Sequence, residues 1–373
     1  MIDGQAVSEF DRNVVCIGGL PFDVVGMPAA VDRIYSVVAA RKSFFLSTPN
    51  LNFLMTAMQD ASFRDSVIHS ELSVVDGMPL VWMARLLGFP ITERVAGASL
   101  FNTLWHGGAS AKDKPTISVY FFGGPPGVAE LAGRMIDSST GNMRCAGYFC
   151  PGFGSIEEMS SPAIIDAINA SGADFLVVSL GAKKGQAWIE LNRDRITVPV
   201  LSHLGAVVNF VAGTVNRAPV FWQNNGLEWL WRIKEERSLL TRYLGDGLGM
   251  LRFLFQRVIP YAIWLRTAYR LKACDGTVRL VQEGDVVRFE LSGDLGCTGM
   301  AQWREQLKSM NPCSRVVLDF KQVGSLPPEF FSLLLLLKKK LDAVGVGLSF
   351  VGISSSIHRH FYWNGLDFLV KDN

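Results

Sequence analysis

Three things are missing from this chain of 373 residues: any Asp-x-Asp, any Cys-x-x-Cys, and any apolar stretch of membrane-spanning length. Without Asp-x-Asp, the usual motif for clamping a divalent metal against a diphosphate is gone. The six cysteines (16, 145, 150, 274, 297, 313) and five histidines (69, 106, 203, 358, 360) show no zinc-ligand spacing. No resident metal or cofactor is expected. The apolar run Leu333–Leu337 is far too short to cross a bilayer. The N-terminus carries no signal-peptide pattern, so reduced thiols in a bacterial-type cytoplasm are the expectation. Charge is also scarce: 19% of residues, with a net charge of +2. That leaves no global field to gather nucleic acid. What is present is a 49% hydrophobic chain, enough for sizeable cores in two or three domains.

Residues 1–226 alternate short apolar runs with longer amphipathic segments. Candidate strands are 13–19, 43–48, 72–76, 117–124, 143–149, 173–181 and 198–205. Near-continuous apolar strands separated by helices predict an α/β fold with a mostly parallel, Rossmann-like sheet covered by helices on both faces. Most of these strands end in Gly, Thr or Asp, and ligands bind at the carboxyl ends of strands in such sheets. Residues 227–273 read as a helical, basic appendage rich in Trp, Arg and Leu. Residues 274–373 read as a small separate α/β domain that opens with a hairpin around Glu283-Gly-Asp and continues helix, strand, helix, strand, helix.

Several stretches carry chemistry, each with a plainer reading beside it. The Gly123-Gly124 turn after 117–122 either lets backbone amides approach a phosphate or simply makes a tight βα turn. Thr48 and Asn50 follow another strand and either hold sugar hydroxyls or form a turn or helix N-cap. Asp76, a lone acid after "LSVV", is either a general base or an N-cap for the helix starting near Pro79. Arg217, Arg232, Arg237 and Arg242 lie among aromatics; they either clamp phosphates or line a solvated amphipathic helix.

Taken in order, Thr48-Pro-Asn50, Val75-Asp76-Gly77, Glu93-Arg94-Val95-x-Gly97, Phe122-Gly-Gly, Leu180-Gly181 with Trp188, Asn216-Arg-Ala-Pro219 and Gly226-Leu-Glu-Trp229 with Arg232 resemble the WecG/TagA/CpsF glycosyltransferase family. The resemblance covers roughly residues 13–247. It implies an inverting enzyme that adds a sugar from a UDP donor to a polyprenyl-diphosphate-linked sugar in cell-surface or exopolysaccharide synthesis. It makes Asp76 the general base, with Thr48, Asn50 and Arg94 at the catalytic pocket. It places Gly123, Gly124, Gly181, Gln186, Asn209, Arg232, Arg237 and Arg242 toward the substrates. Two segments depart from the family pattern, Lys183-Lys-Gly-Gln186 and Gly205-Ala-Val-Val-Asn209, and both lie on the donor side. They leave the donor sugar open between N-acetylmannosamine-type and glucose-type. A catalytically idle scaffold is the competing reading.

Residues 275–373 resemble a STAS domain. Pro327 and Pro328 occupy the places of the Asp-Ser pair found in regulatory members, so a docking or oligomerisation role is expected there rather than a phospho-switch. The segment Gly247–Ala273 contains no Asp or Glu but carries Arg252, Arg257, Arg266, Arg270 and Lys272 among large apolar residues. It is expected at the headgroup layer of the cytoplasmic membrane face, with a helix packed between domains as the alternative.

Overall fold

The structure, a computed structural model, describes residues 8–107, 114–216, 218–219, 221–222, 228–235, 239–269 and 275–370. Arg217, Arg237, Arg270 and Lys272 lie outside the described residues, as does Gly226.

The chain divides into two compact units, one of residues 25–82 and 91–247, the other of residues 1–24, 83–90 and 248–373. The first is built on a six-stranded sheet in the order β4-β3-β8-β7-β5-β6. Its strands are β3 (Phe44–Ser47), β4 (Leu72–Ser73), β5 (Ile117–Gly123), β6 (Met143–Phe149), β7 (Phe175–Ser179) and β8 (Val200–His203). All pairs are parallel, as the apolar runs predict. Alternate residues serve opposite faces. Phe44, Leu46, Val119, Phe121, Phe175 and Val177 pack with helices 27–40, 97–106, 128–138 and 207–211. Phe45, Tyr120, Phe122, Leu176 and Val178 pack with Ile165, Ile168, Trp188 and Ile189 from helices 162–170 and 182–192. Two-sided burial explains why these strands carry few polar residues.

The second unit holds a four-stranded sheet in the order β12-β11-β10-β9: Thr277–Glu283 (β9), Val286–Asp294 (β10), Arg315–Ser325 (β11) and Gly347–Val351 (β12). Gly284, at φ +63°, turns β9 into β10. Pro328 opens the helix Pro328–Ala343, where its fixed φ and missing N–H fit the first turn. Phe330, Phe331 and Leu333–Leu337 of that helix are all buried.

One strand does not go where the sequence pattern put it. Residues 13–19 are not part of the parallel sheet. Val14–Ile17 (β1) and Leu20–Asp23 (β2) form an antiparallel hairpin in the second unit, with Ile17 opposite Leu20. Gly18 and Gly19, at φ +59° and +80°, make the two-residue turn that demands positive φ at both positions. The hairpin joins this unit closely. Gly19 N–H donates to Asn364 O at 2.7 Å, and a Cβ on Gly19 would lie 2.5 Å from Gly365 O. Phe10, Ile17, Leu20 and Phe22 are essentially fully buried.

The appendage is helical at Glu228–Glu235, Leu239–Phe253 and Ile259–Arg266, with a π-helical turn at Leu254–Val258 between the last two. Its C-terminal part is integrated into the second unit. Arg257 donates to Tyr362 O and to Asp367 at 2.7 Å, Tyr261 is buried against Trp363, and Trp264 lies 4.3 Å from His360. Arg266 donates to Leu86 O. Residues 257–266 therefore pack within the second unit, where two of the basic residues are already engaged. Along Leu239–Phe253 and the following turn, by contrast, Leu240, Leu244, Leu248, Leu251 and Phe255 are exposed at helical spacing. Among the described residues no helix is long and apolar enough to cross a membrane.

Candidate active site

Every strand of the large sheet runs the same way, so the segments after β3, β4, β5, β7 and β8 leave from one carboxyl edge. Thr48 and Asn50 follow β3, Asp76 follows β4, Gly123 and Gly124 close β5, Gly181 follows β7, and Asn209 follows β8.

Asp76 is held at both ends. Its N–H donates to Pro49 O at 2.9 Å, which ties it to the Thr48-Pro-Asn50 turn. Its carboxylate Oδ2 accepts the Gly97 N–H at 3.1 Å, at the start of the helix Gly97–His106. The carboxylate therefore engages the amide end of that helix. A helix N-terminus favours negative charge. Gly97 also sets the packing here: a Cβ would lie 2.7 Å from Leu204 and 3.2 Å from the Thr48 side chain. Thr48, Asp76 and Gly97 thus form one cluster, and only glycine at 97 lets the helix terminus come this close. Asn50 does cap a helix, since its Oδ1 accepts Phe53 N–H at 3.1 Å. Its amide NH₂ is not used by that bond.

Arg94 lies just before Val95, whose N–H is bonded to Val75 O, and so stands beside the Asp76 strand. Its guanidinium pairs with Glu228 at 2.9 Å, with both side chains about 15% exposed. The sequence motif contained Glu228 but gave it no role. The available signal was charge: Glu228 is the first acid in the basic stretch from Arg217.

The glycines of the β5 turn are dictated by close approach. At Gly123, φ +97°, a Cβ would sit 2.7 Å from Ser179 O; Gly124, φ +85°, faces Val208 of the helix bearing Asn209. This brings Gly123, Gly124, the Leu180-Gly181 segment and the Asn209 helix into one neighbourhood. Gln186 is fully buried, and its amide donates to Ser47 Oγ at 3.1 Å, while its Oε1 has no partner among the described residues. It braces the helix Ala182–Asn192 against β3. Arg242 is exposed and stacks on Tyr243 at 5.3 Å. Arg232 belongs to the helix Glu228–Glu235.

His203, at the end of β8, was not singled out by the sequence pattern. It is 93% buried, it lies over Gly185 and Gly205, and its Nε2 has no hydrogen-bond partner among the described residues. Desolvation pulls its pKa down to about 4, so the ring is neutral near pH 7. Among the described residues no group of three His, Cys, Asp or Glu side chains is placed to hold a metal ion.

The sequence profile described as the glycosyl transferase WecG/TagA/CpsF family matches residues 15–262. A relative in Bacillus spizizenii strain W23 is an N-acetylglucosaminyldiphosphoundecaprenol N-acetyl-beta-D-mannosaminyltransferase. It is 27% identical over 203 residues, covering 54% of this chain and 76% of the relative. Solved structures similar to part of the chain include the anti-sigma factor antagonist SpoIIAA in its unphosphorylated form. That match is 18% identical with a TM-score of 0.24, covering 25% of this chain and 84% of the other. The phosphorylated form of the Bacillus cell fate determinant SpoIIAA matches at 18% identity and a TM-score of 0.23, covering 25% and 87%.

Proposed function

Since the chain belongs to the WecG/TagA/CpsF family of glycosyltransferases, we propose that it moves a sugar from a UDP donor to a polyprenyl-diphosphate-linked sugar in building a bacterial cell-surface polysaccharide. The observation that carries this reading is the Asp76 carboxylate, fixed by Gly97 N–H beside Thr48 at the carboxyl edge of the sheet. In the reaction an acceptor hydroxyl attacks the anomeric carbon of the donor. Its proton passes to Asp76, the bond from that carbon to the diphosphate oxygen breaks, and the electron pair leaves with UDP. Attack opposite the leaving group inverts the anomeric carbon. Arg94 and the amides of the glycine turns would stabilise the charge developing on the diphosphate without a metal, in keeping with the lack of Asp-x-Asp. Glu228 would hold the Arg94 guanidinium in place until the diphosphate arrives.

The relative's name favours an N-acetylmannosamine-type sugar over a glucose-type one and a diphosphoundecaprenol-linked N-acetylglucosamine as acceptor. An acceptor tethered in a bilayer requires the enzyme to work at the membrane surface. The exposed stripe from Leu240 to Phe255 supports docking to the cytoplasmic face of that surface. The test is a panel of UDP-sugars incubated with a synthetic polyprenyl-diphosphate N-acetylglucosamine, with product read by mass spectrometry. One donor should give product, and Asp76→Asn should lower its turnover by about 10²–10⁴-fold with donor affinity kept. Wild-type-like turnover in Asp76→Asn would remove Asp76 as the base.

A further inference from the structure

β3 and β8 are buried strands, yet each ends in a polar residue, Ser47 and His203. Leu46 lies opposite Ser202 in the parallel register, so Ser47 and His203 stand side by side at the next step. The helix Ala182–Asn192 covers both. Its Gln186 donates to Ser47 Oγ at 3.1 Å, and its Gly185 lies against the imidazole. Ser47, Gln186 and His203 are all more than nine-tenths buried. Two of their polar atoms, Gln186 Oε1 and His203 Nε2, have no hydrogen-bond partner among the described residues. We propose that His203 is a positioning residue for the transfer reaction: with Gln186 and Ser47 it sets where the first turns of this helix meet the ends of β3 and β8, and so holds Thr48 and Leu204 against Gly97. This rests on the function proposed in the preceding subsection and deepens it.

Two strand ends connect the cluster to the acid. Successive residues of a strand face opposite sides of the sheet. Ser47 and His203 face the helix Ala182–Asn192, whereas the residues that follow them, Thr48 and Leu204, face Gly97. A Cβ on Gly97 would lie 3.2 Å from the Thr48 side chain and 2.7 Å from Leu204. The Gly97 N–H is the donor that holds Asp76 Oδ2. The polar cluster is therefore the back of the Asp76 cluster, reached through the ends of β3 and β8. A shift of Ser47 or His203 on one face moves Thr48 or Leu204 on the other, where the fit leaves no room. Phe53 brings in the helix that starts at Asn50: Asn50 caps its N–H, and its ring centre lies 6.1 Å from that of the imidazole.

The choice of side chains points to the reaction and not to stability. A buried nitrogen or oxygen without a partner costs free energy that a leucine in the same space does not. Such atoms are rare in folded proteins, and each one calls for a reason. The imidazole is also too closely fitted to be a filler. A Cβ on Gly185 would lie 2.2 Å from its Cδ2, and one on Gly205 3.1 Å from its Nε2. The ring is neutral near pH 7 and needs no counter-ion. A rigid ring packed this tightly passes a displacement on to its neighbours.

The test is steady-state transfer by the full-length protein, with the UDP-sugar that gives product and polyprenyl-diphosphate N-acetylglucosamine each varied at saturation of the other, beside thermal melting. His203→Leu should keep or raise Tm, because it removes the unpartnered nitrogen. It should lower kcat about tenfold, the worth of one fixed contact, with both KM values unchanged. His203→Gln, which keeps a polar atom in the same space, should recover most of kcat. Gly185→Ala should push the imidazole aside and lower kcat to a similar extent, but bring no further loss once His203→Ala has removed the ring. Normal kcat in both His203→Leu and Gly185→Ala overturns the proposal, and so does a loss of kcat that only follows a fall in Tm. If His203→Leu does not fold, Gly185→Ala alone and on the His203→Ala background decides. If the wild type transfers no sugar from any donor, the proposed function fails, and the cluster is judged by hydrogen exchange. Gly185→Ala should then speed exchange in segments 46–54 and 180–187 and leave 117–123 unchanged. Unaltered exchange in the first two segments overturns the positioning role.

Discussion

At the scale of single residues, this site is built on one carboxylate and the glycines that let other groups reach it. Asp76 was legible as a lone acid after an apolar strand. Its partner was not, because Gly97 lies 21 positions on and only the fold brings its N–H within 3.1 Å. His203 was invisible for a similar reason. Its burial depends on the missing side chain at Gly185, where a Cβ would lie 2.2 Å from the imidazole Cδ2. That burial gives a pH dependence. The folded ring titrates near pH 4 and an unfolded histidine near 6.5. Between those values the unfolded chain binds the extra proton, so stability is full above pH 6.5 and falls as pH drops toward 4. Relative to His203→Gln, the wild type should lose about 2 kcal/mol more between pH 7 and pH 5. Urea unfolding at the two pH values reads this difference. Parallel losses in both proteins would mean that the ring finds a partner for its proton in the fold.

At the scale of elements, the parallel strands could be read from sequence because burial on both faces of β3, β5, β7 and β8 removes nearly all polar residues. The β1–β2 hairpin could not be read from strand pattern alone. Its residues are as apolar as those of the sheet, and the distinguishing signal was the Gly18-Gly19 pair, which forces a reversal rather than a crossover. The appendage divides on the same physical ground. Arg257 and Arg266 face protein acceptors and are no longer available to lipid, whereas Arg242 and Arg252 remain exposed next to the leucine stripe. A basic amphipathic helix of this kind binds anionic bilayers through both terms, with each basic residue contributing about 1 kcal/mol near the surface. The wild type should sediment with anionic vesicles at low salt and be released as salt rises. Arg242→Glu with Arg252→Glu should weaken binding, and Leu244→Ser with Leu248→Ser should abolish it even at low salt. Wild-type protein left in the supernatant at low salt would end the membrane reading.

At the scale of the whole molecule, the linear order of the sequence misleads about what folds with what. From the sequence alone, the last hundred residues look self-sufficient, and cutting after residue 274 looks harmless. In the fold, residues 8–24 belong to the same compact unit as that tail. Phe10 and Phe22 have no exposed surface, Arg12 is buried in ion pairs with Asp23 and Glu9, and Lys339 and Lys308 reach Glu9 and Asp11. Arg304 donates to Phe10 O. Removing 275–373 strips all of this cover from the N-terminal segment. Each large apolar side chain returned to water forfeits roughly 1.5–3 kcal/mol, and several together rival the 5–15 kcal/mol by which a domain is stable. The Arg12 cluster also keeps its charges while losing the residues packed around it. A fragment of residues 1–274 should therefore aggregate or melt broadly. Residues 25–247, which leave out both the hairpin and the tail and keep only 83–90 of the second unit, should give a single cooperative transition by calorimetry and remain monomeric by light scattering. If residues 1–274 melt as sharply as 25–247 and stay monomeric, the N-terminal hairpin does not depend on the tail, and the boundary suggested by the sequence is the physical one.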